Sequence, residues 1–326
     1  MNAKSLLSAC GAILLTSAAA SVVAQYPAKP VRMIVHYPPG GPTDIVARAV
    51  AQKLTDAWGQ QFIIDNRSGA SGIIGVELVA RAVPDGHTLL FGTSGGMAIG
   101  PATGIKLPYD VVKDFAPISR VVINPQLLVL NAGFAPNSVK ELIAYAKARP
   151  GKVNYASVGP GSPNHLGAEM LKAMAGIDLT HIPYKGTAPA MTDVLGGQVS
   201  LMFNSMPTVL PHVKSGRLKG IAVGSAKRSA AMPDTPTVAE SGVAGLAGFD
   251  YVTWYGMFAP AATPKPIIAK LNAEVKKMLD EREMSQRLAV QGAEPSPSTP
   301  EQLASYMLEE QARWRKVIKG ANIKFE

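Results

Sequence analysis

Cysteine is all but absent from this chain: Cys10 stands alone among 326 residues, close to the N-terminus. One thiol closes no internal disulfide and supplies no cysteine-based zinc set or paired-thiol redox couple. Charged residues are scarce at 17 %, and aromatics stop at 6 %. Lysines and arginines are scattered, with no dense basic block interleaved with aromatics. The formal charge of +9 therefore reads as a solvated basic surface that attracts anions, and no nucleic-acid partner is expected. His36, His87, His181 and His212 are too dispersed for metal-ligand spacing. Neither a Walker loop nor paired catalytic carboxylates occur, and no cofactor is implied.

Long apolar runs are missing as well. Lys4 precedes an apolar stretch from Leu6 to Ala20 that Ser8, Thr16 and Ser17 interrupt, too short for a membrane span. Val22-Val23-Ala24 before Gln25 completes the pattern of a secretory signal peptide over residues 1–24, cleaved near Ala24. Leu7-Ser8-Ala9-Cys10 superficially fits a lipoprotein cleavage box, but too little apolar sequence precedes it and too much follows. Cleavage after Ala24 removes both Cys10 and Lys4. The expected product is a cysteine-free protein exported to the periplasm.

A hydrophobic content of 47 % over this length suits two domains with ordinary cores. The chain alternates strand and helix. Val31–Val35 leads through Tyr37-Pro38-Pro39-Gly40-Gly41-Pro42-Thr43-Asp44 into a helix whose apolar positions Val46, Val50, Leu54 and Trp58 step by four. A strand that turns on paired glycines and starts a helix leaves N–H groups without partners at one point, which favours an anion. Phe62–Ile64 and Thr88–Phe91 are further strands, ending in Asn66–Gly72 and Gly92–Gly96. A helix is expected from Ile73 to Ala82. In open parallel sheets such strand ends line the ligand crevice.

Pro117–Ile123 followed by Gln126–Leu130 marks a crossing into a second α/β unit. That unit contains a helix near Val139–Ala148, a strand Val153–Ala156, the loop Ser157–Asn164 opening a helix from His165, and strands Val199–Phe203 and Gly220–Val223. A return crossing is expected around Phe249–Phe258. Surface helices follow, Ile267–Leu279 and Gln302–Ile318, with Pro295–Pro300 as a polar connector.

Several motifs together resemble one family. Gln25-Tyr26-Pro27-Ala28-Lys29-Pro30-Val31, Pro39-Gly40-Gly41-Pro42-Thr43-Asp44 with Ala47-Arg48, and Asn66-Arg67-Ser68-Gly69-Ala70-Ser71-Gly72 come first. Tyr155-Ala156-Ser157 through Gly161 with His165-Leu166, Pro183-Tyr184-Lys185-Gly186 and Pro233-Asp234-Thr235-Pro236-Thr237 follow in order. The set resembles the Bug (Bordetella uptake gene) solute receptors of tripartite tricarboxylate transporters over essentially the whole mature chain.

The resemblance implies an α/β, two-lobed periplasmic-binding-protein fold of the Venus-flytrap, type II-like kind, with two crossing strands as hinge. Residues 25–124 plus 250–326 would form lobe 1, and 125–249 lobe 2. It implies a monomer that holds a small carboxylate in the interlobe cleft and meets the transporter's membrane subunits. Carried over by position, the first loop supplies Gly40, Gly41, Thr43 and Asp44, and the next two loops Ser71 and Ser94. Lobe 2 supplies Ser157, Gly161, Ser162 and His165, with Ser205 beyond a later strand. Pro42 stands where many relatives carry a small residue, which removes one N–H donor.

Each residue also has a plainer role. Gly40-Gly41 can serve only the turn; Thr43 can cap the helix and Asp44 complement its dipole; His165 can cap backbone groups. Lys185 and Arg67 either neutralise a second carboxylate or stay solvated, and Trp254 is hinge packing or a ligand platform. Gly92-Thr93-Ser94-Gly95-Gly96 fits a nucleophile elbow, G-x-S-x-G, but Gly100, Pro101, Gly104 and Pro108 argue against the helix such an elbow needs. Reversible capture of a carboxylate is the expected function; a ligand sensor for a membrane kinase and a secreted serine hydrolase using Ser94 are the competing classes.

Overall fold

The computed structural model describes residues 26–290, 292–320 and 323. The signal peptide, its cleavage site and Cys10 lie outside the described residues.

Strand β1 (Val31–Val35) is buried on both faces apart from half-buried Arg32, as befits a strand covered on both sides. It pairs in parallel with β2 (Phe62–Asn66) and β3 (Thr88–Thr93). Between β1 and β2 runs α1 (Pro42–Trp58), which buries Val46, Val50 and Leu54 and ends at Gly59 in the left-handed conformation (φ 67°). Pro42 occupies the first turn, where a missing N–H costs nothing. Helix α2 (Ile73–Ala80) connects β2 to β3.

The next strand, β4 (Phe115–Asn131), is one continuous element rather than the two short segments expected. Its first part pairs with β9 (Val252–Pro260), from Phe115↔Pro260 to Pro125↔Val252, and β9 pairs with β3. From Gln126 onward it pairs instead with β7 (Leu201–Ser205) and β8 (Leu218–Val223). The partner change falls at Pro125, a residue with no N–H to lose from the ladder. Strand β5 (Asn154–Ser157) joins β7 and β6 (Thr180–Pro183) in parallel, and β10 (Glu294–Pro295), which overlaps the expected connector only at Pro295, pairs with the first part of β4. The return crossing is tied to β4 by backbone bonds from Gly224 N–H to Gln126 O (2.6 Å) and Tyr251 N–H to Gly224 O (2.8 Å).

Each lobe is a sheet with a core on both faces, read directly from strand alternation. In lobe 1, Met33, Leu89 and Phe91 face α1, α7 (Lys265–Asp280) and α8 (Arg282–Val290). Ile34 and Leu90 face α2 and α9 (Pro300–Gly320). In lobe 2, Leu128 and Leu130 face α3 (Val139–Lys147) and α4 (Pro163–Ala175). Leu127 and Val129 face α5 (Thr187–Leu195) and α6 (Met206–Lys214). Helix α9 is not confined to lobe 1. Trp314 joins the lobe 2 core, edge-on to Tyr251 at 5.8 Å, and Arg313 donates to the carbonyl of Asp250.

One expectation is corrected after β3. Helical turns do follow, at Gly95–Ile99 (π) and Gly100–Ala102, despite the glycines and Pro101. Pro101 sits in the first turn of the second segment, where it breaks nothing. Elements β6, α5, α6 and α8 were not anticipated individually. They are short, and α6 contains Pro211.

Candidate functional site

The C-terminal ends of β1, β2, β3, β5, β6 and β7 all open toward one cavity of about 860 Å³, within the usual range for small-molecule sites. The crossing strands supply its middle through Gln126, Thr253 and Tyr255.

Helices α1, α4, α5 and α6 begin in this wall; Ser162 caps α4, whereas α1 at Gly41, α5 at Gly186 and α6 at Ser205 have no cap from their N-cap side chains. The first-turn N–H groups of these three therefore present partial positive charge to the cavity. The N–H groups of Thr43 and Asp44 have no backbone acceptor among the described residues. Asn204 uses its carbonyl to accept from Ser205 N–H at 2.8 Å, while its amide NH₂ touches only Met202 Sδ at 3.9 Å. Gln126 donates to Thr253 Oγ1 at 2.9 Å and to Asn124 O at 3.2 Å.

The wall contains no carboxylate side chain, and Lys185, exposed at the rim, is its one cation. His36 is fully buried in the wall, and burial lowers its pKa to about 4, so it is neutral. Burial likewise raises Tyr37, and Tyr255 to about 12. Neither His36 ring nitrogen nor Ser94 Oγ has a hydrogen-bond partner among the described residues, which is unusual for buried polar atoms.

The loop after β2 is conformationally strained. Gly69, Ala70, Ser71 and Gly72 all have positive φ (131°, 46°, 55° and 95°), and two of the four carry a Cβ. Such strain, of order ~1–3 kcal/mol per residue, clusters at binding sites. Gly72 is required here, because a Cβ would also lie 2.3 Å from His36 Nδ1.

Of the residues singled out from sequence, Gly40, Gly41, Thr43, Ser71, Ser94 and Ser205 line the cavity. Asp44, Ser157, Gly161, Ser162 and His165 do not, each for a local reason. Asp44 accepts from Gly40 N–H, Arg48 and Asn66, all at 2.9 Å, so it shapes the loop from behind. Burial opposes its ionisation, but these bonds outweigh it and hold the carboxyl below the ordinary range. Ser162 caps α4, accepting from His165 N–H, and Ser157 contacts His181 Nε2 at 2.6 Å. His165 Nδ1 accepts from Gly161 N–H at 3.1 Å, which ties the ring to its own loop and uses that N–H. Arg67 pairs with Asp65, and Trp254 is fully buried against Tyr306.

Gln126, Asn164, Asn204, Thr253, Tyr255 and His36 were not anticipated in the wall. Asn204 stands beside Ser205 at a strand end, and Thr253 and Tyr255 share one face of β9 by two-residue alternation. Those signals existed, but only pairing with β4 turns that face to the cavity.

Two α/β lobes joined by crossing strands, with a cavity between them ringed by helix N-termini, define a two-lobed solute-binding protein. The profile described as "Tripartite tricarboxylate transporter family receptor" matches residues 46–323. The chain is 39 % identical to Protein BugT of Bordetella pertussis, over 99 % of this chain and all of that protein. Among solved structures, R. palustris Rpa4515 with adipate is 36 % identical with a TM-score of 0.86, covering 91 % of this chain and 99 % of that one. The periplasmic binding protein BugD is 38 % identical with a TM-score of 0.82, covering 92 % and 100 %. The chain belongs to the receptor family of tripartite tricarboxylate transporters. Among the described residues no helix is long and apolar enough to cross a membrane, and no cluster of three metal-ligating side chains occurs.

Proposed function

We propose that this chain captures a small carboxylate in the interlobe cavity, in the periplasm, and hands it to the membrane subunits of a tripartite transporter. The observation that carries the reading is the convergence of three uncapped helix N-termini, from both lobes, on a wall without carboxylates. Binding of adipate by Rpa4515 supports the same ligand class. Of the cavity-lining residues, Thr43, Ser71, Ser94, Asn204 and Ser205 are the proposed polar contacts, with backbone N–H groups of Thr43 and Thr187.

Magnitudes require several donors at once. Micromolar capture needs about −8 kcal/mol. One helix N-terminus contributes at most ~2 kcal/mol in a sheltered site, and a hydrogen bond to a charged group roughly 1.5–3 kcal/mol. No single helix N-terminus or hydrogen bond suffices, so donors must converge, and opening the lobes withdraws part of them and releases the ligand without any chemical step.

The protein acts as a monomer exported by its signal peptide, and it makes and breaks no covalent bond. Ser94 Oγ is hydrogen-bonded to no base among the described residues, whereas a nucleophilic serine is hydrogen-bonded to its general base. Thermal unfolding of the purified mature protein against mono-, di- and tricarboxylates, aromatic acids and amino acids tests the reading. A ligand at a hundred times its Kd stabilises by about 2.7 kcal/mol. No shift with any acid refutes capture of a carboxylate.

A further inference from the structure

Charge counting carries the site further than the presence of an anion. Each uncapped helix N-terminus carries roughly half an elementary charge. Three of them, on α1, α5 and α6, meet the full charge of Lys185 around the cavity. No acidic side chain among the described residues lines the cavity. Asp44 is bound to Arg48, and Asp193 accepts from Tyr184 OH at 2.6 Å. Lys185 pairs with no acidic residue among the described residues, unlike Arg48, Arg67 and Lys172, so its charge stands uncompensated at the cavity rim.

The placement of Lys185 is not accidental. It directly precedes Gly186, the N-cap of α5, whose φ of 143° is closed to side-chain-bearing residues. The lysine is thus held at the mouth of a helix whose Thr187 and Ala188 also line the cavity. Across the cavity, α1 offers a second anion position. Ser94, fully buried with an unpartnered hydroxyl, lies in that opposite wall. One singly charged guest leaves one of these positions uncompensated.

We infer that Lys185 is a specificity-determining residue that selects guests with two acid groups, one held at the start of α1 and the other at the start of α5. This rests on the carboxylate-capture reading above and adds to it the number of charges and the residue that counts them. A positive rim charge screened by water contributes modestly, so the effect is one of selectivity rather than of binding outright.

The test uses the purified mature chain, calorimetric titration, and matched pairs of probes: succinate, glutarate and adipate, each against its half-amide of equal length. The wild-type protein should bind the best diacid about tenfold more tightly than its half-amide, or about 1.4 kcal/mol. Lys185→Gln should remove that preference by weakening the diacid, with half-amide affinity held within about twofold, and Lys185→Arg should restore it. Raising the salt concentration should narrow the wild-type preference. Because Lys185 is exposed and unpaired, the variants fold as the parent does, which circular dichroism checks. An unchanged preference in Lys185→Gln, or half-amides binding as well as diacids to the wild type, overturns the inference and leaves carboxylate capture standing. Failure of every probe, with failure of the wider acid panel, overturns both.

Discussion

His165 and His181 stack with ring centroids 4.3 Å apart and planes inclined by 29°, with Tyr155 near-parallel to both, 5.0 Å from His181 and 6.3 Å from His165. Two imidazoles in van der Waals contact resist double protonation. Burial, then His181, lowers the pKa of His165 to about 4, and burial lowers His181.

A pH dependence of stability follows with a definite sign. A histidine whose folded pKa lies below its ordinary 6.5 binds fewer protons folded than unfolded. Stability is then full above about pH 6.5 and is lost as pH falls toward about 4, with His36 acting in the same direction. Urea midpoints should drop across that window, and His165→Asn, which keeps an acceptor for Gly161 N–H, should flatten the slope. An equal slope in the variant contradicts this account.

Asp44 is predicted to be structural before it is anything else. Replacing it with Ala strands the N–H of Gly40, the amide of Asn66 and the guanidinium of Arg48. Loss of stability of about 1–3 kcal/mol is expected from denaturant titration, together with weaker ligand binding because the Gly40–Gly41 turn loses its anchor.

Ser162 and Ser205 should separate cleanly. Ser162→Ala removes the cap of α4 and should cost about 1 kcal/mol of stability. Ser205→Ala leaves an already uncapped α6 intact and should instead weaken carboxylate binding by about 1 kcal/mol. Paired unfolding and calorimetric titrations of the two variants decide it; the reverse pattern refutes the assignment.

At the crossing, Gly167 leaves room for Tyr251. A Cβ there would lie 2.3 Å from the Tyr251 ring, whose hydroxyl donates to Pro163 O and whose edge packs on Trp314. Gly167→Ala should destabilise the protein by roughly 1–3 kcal/mol or more through overpacking, read as a lower thermal midpoint. An unaltered midpoint argues that Tyr251 is free to move.

Much of the architecture was legible in one dimension. The four-residue stepping of Val46, Val50 and Leu54 gives α1, and the alternation of Met33 with Ile34 sends successive side chains to opposite cores. Segments without such periodicity, as around Pro101 and Pro211, hid their helices. Hydroxyls at strand ends pointed to the right loops but not to their use, since Ser162 and Ser205 precede helices in the same way and only one is spent on its cap.

Local chemistry along the chain thus determined the alternation of strands and helices, the glycine turns at strand ends and the family membership, because these depend on neighbours a few residues apart. The tertiary structure alone decided which donors remain free. Whether a hydroxyl, amide or lysine faces the cavity depends on partners far away in sequence: Tyr251 against Gly167, Thr253 against Gln126, and β4 changing strands at Pro125. No periodicity records such encounters; they exist only once both lobes have packed.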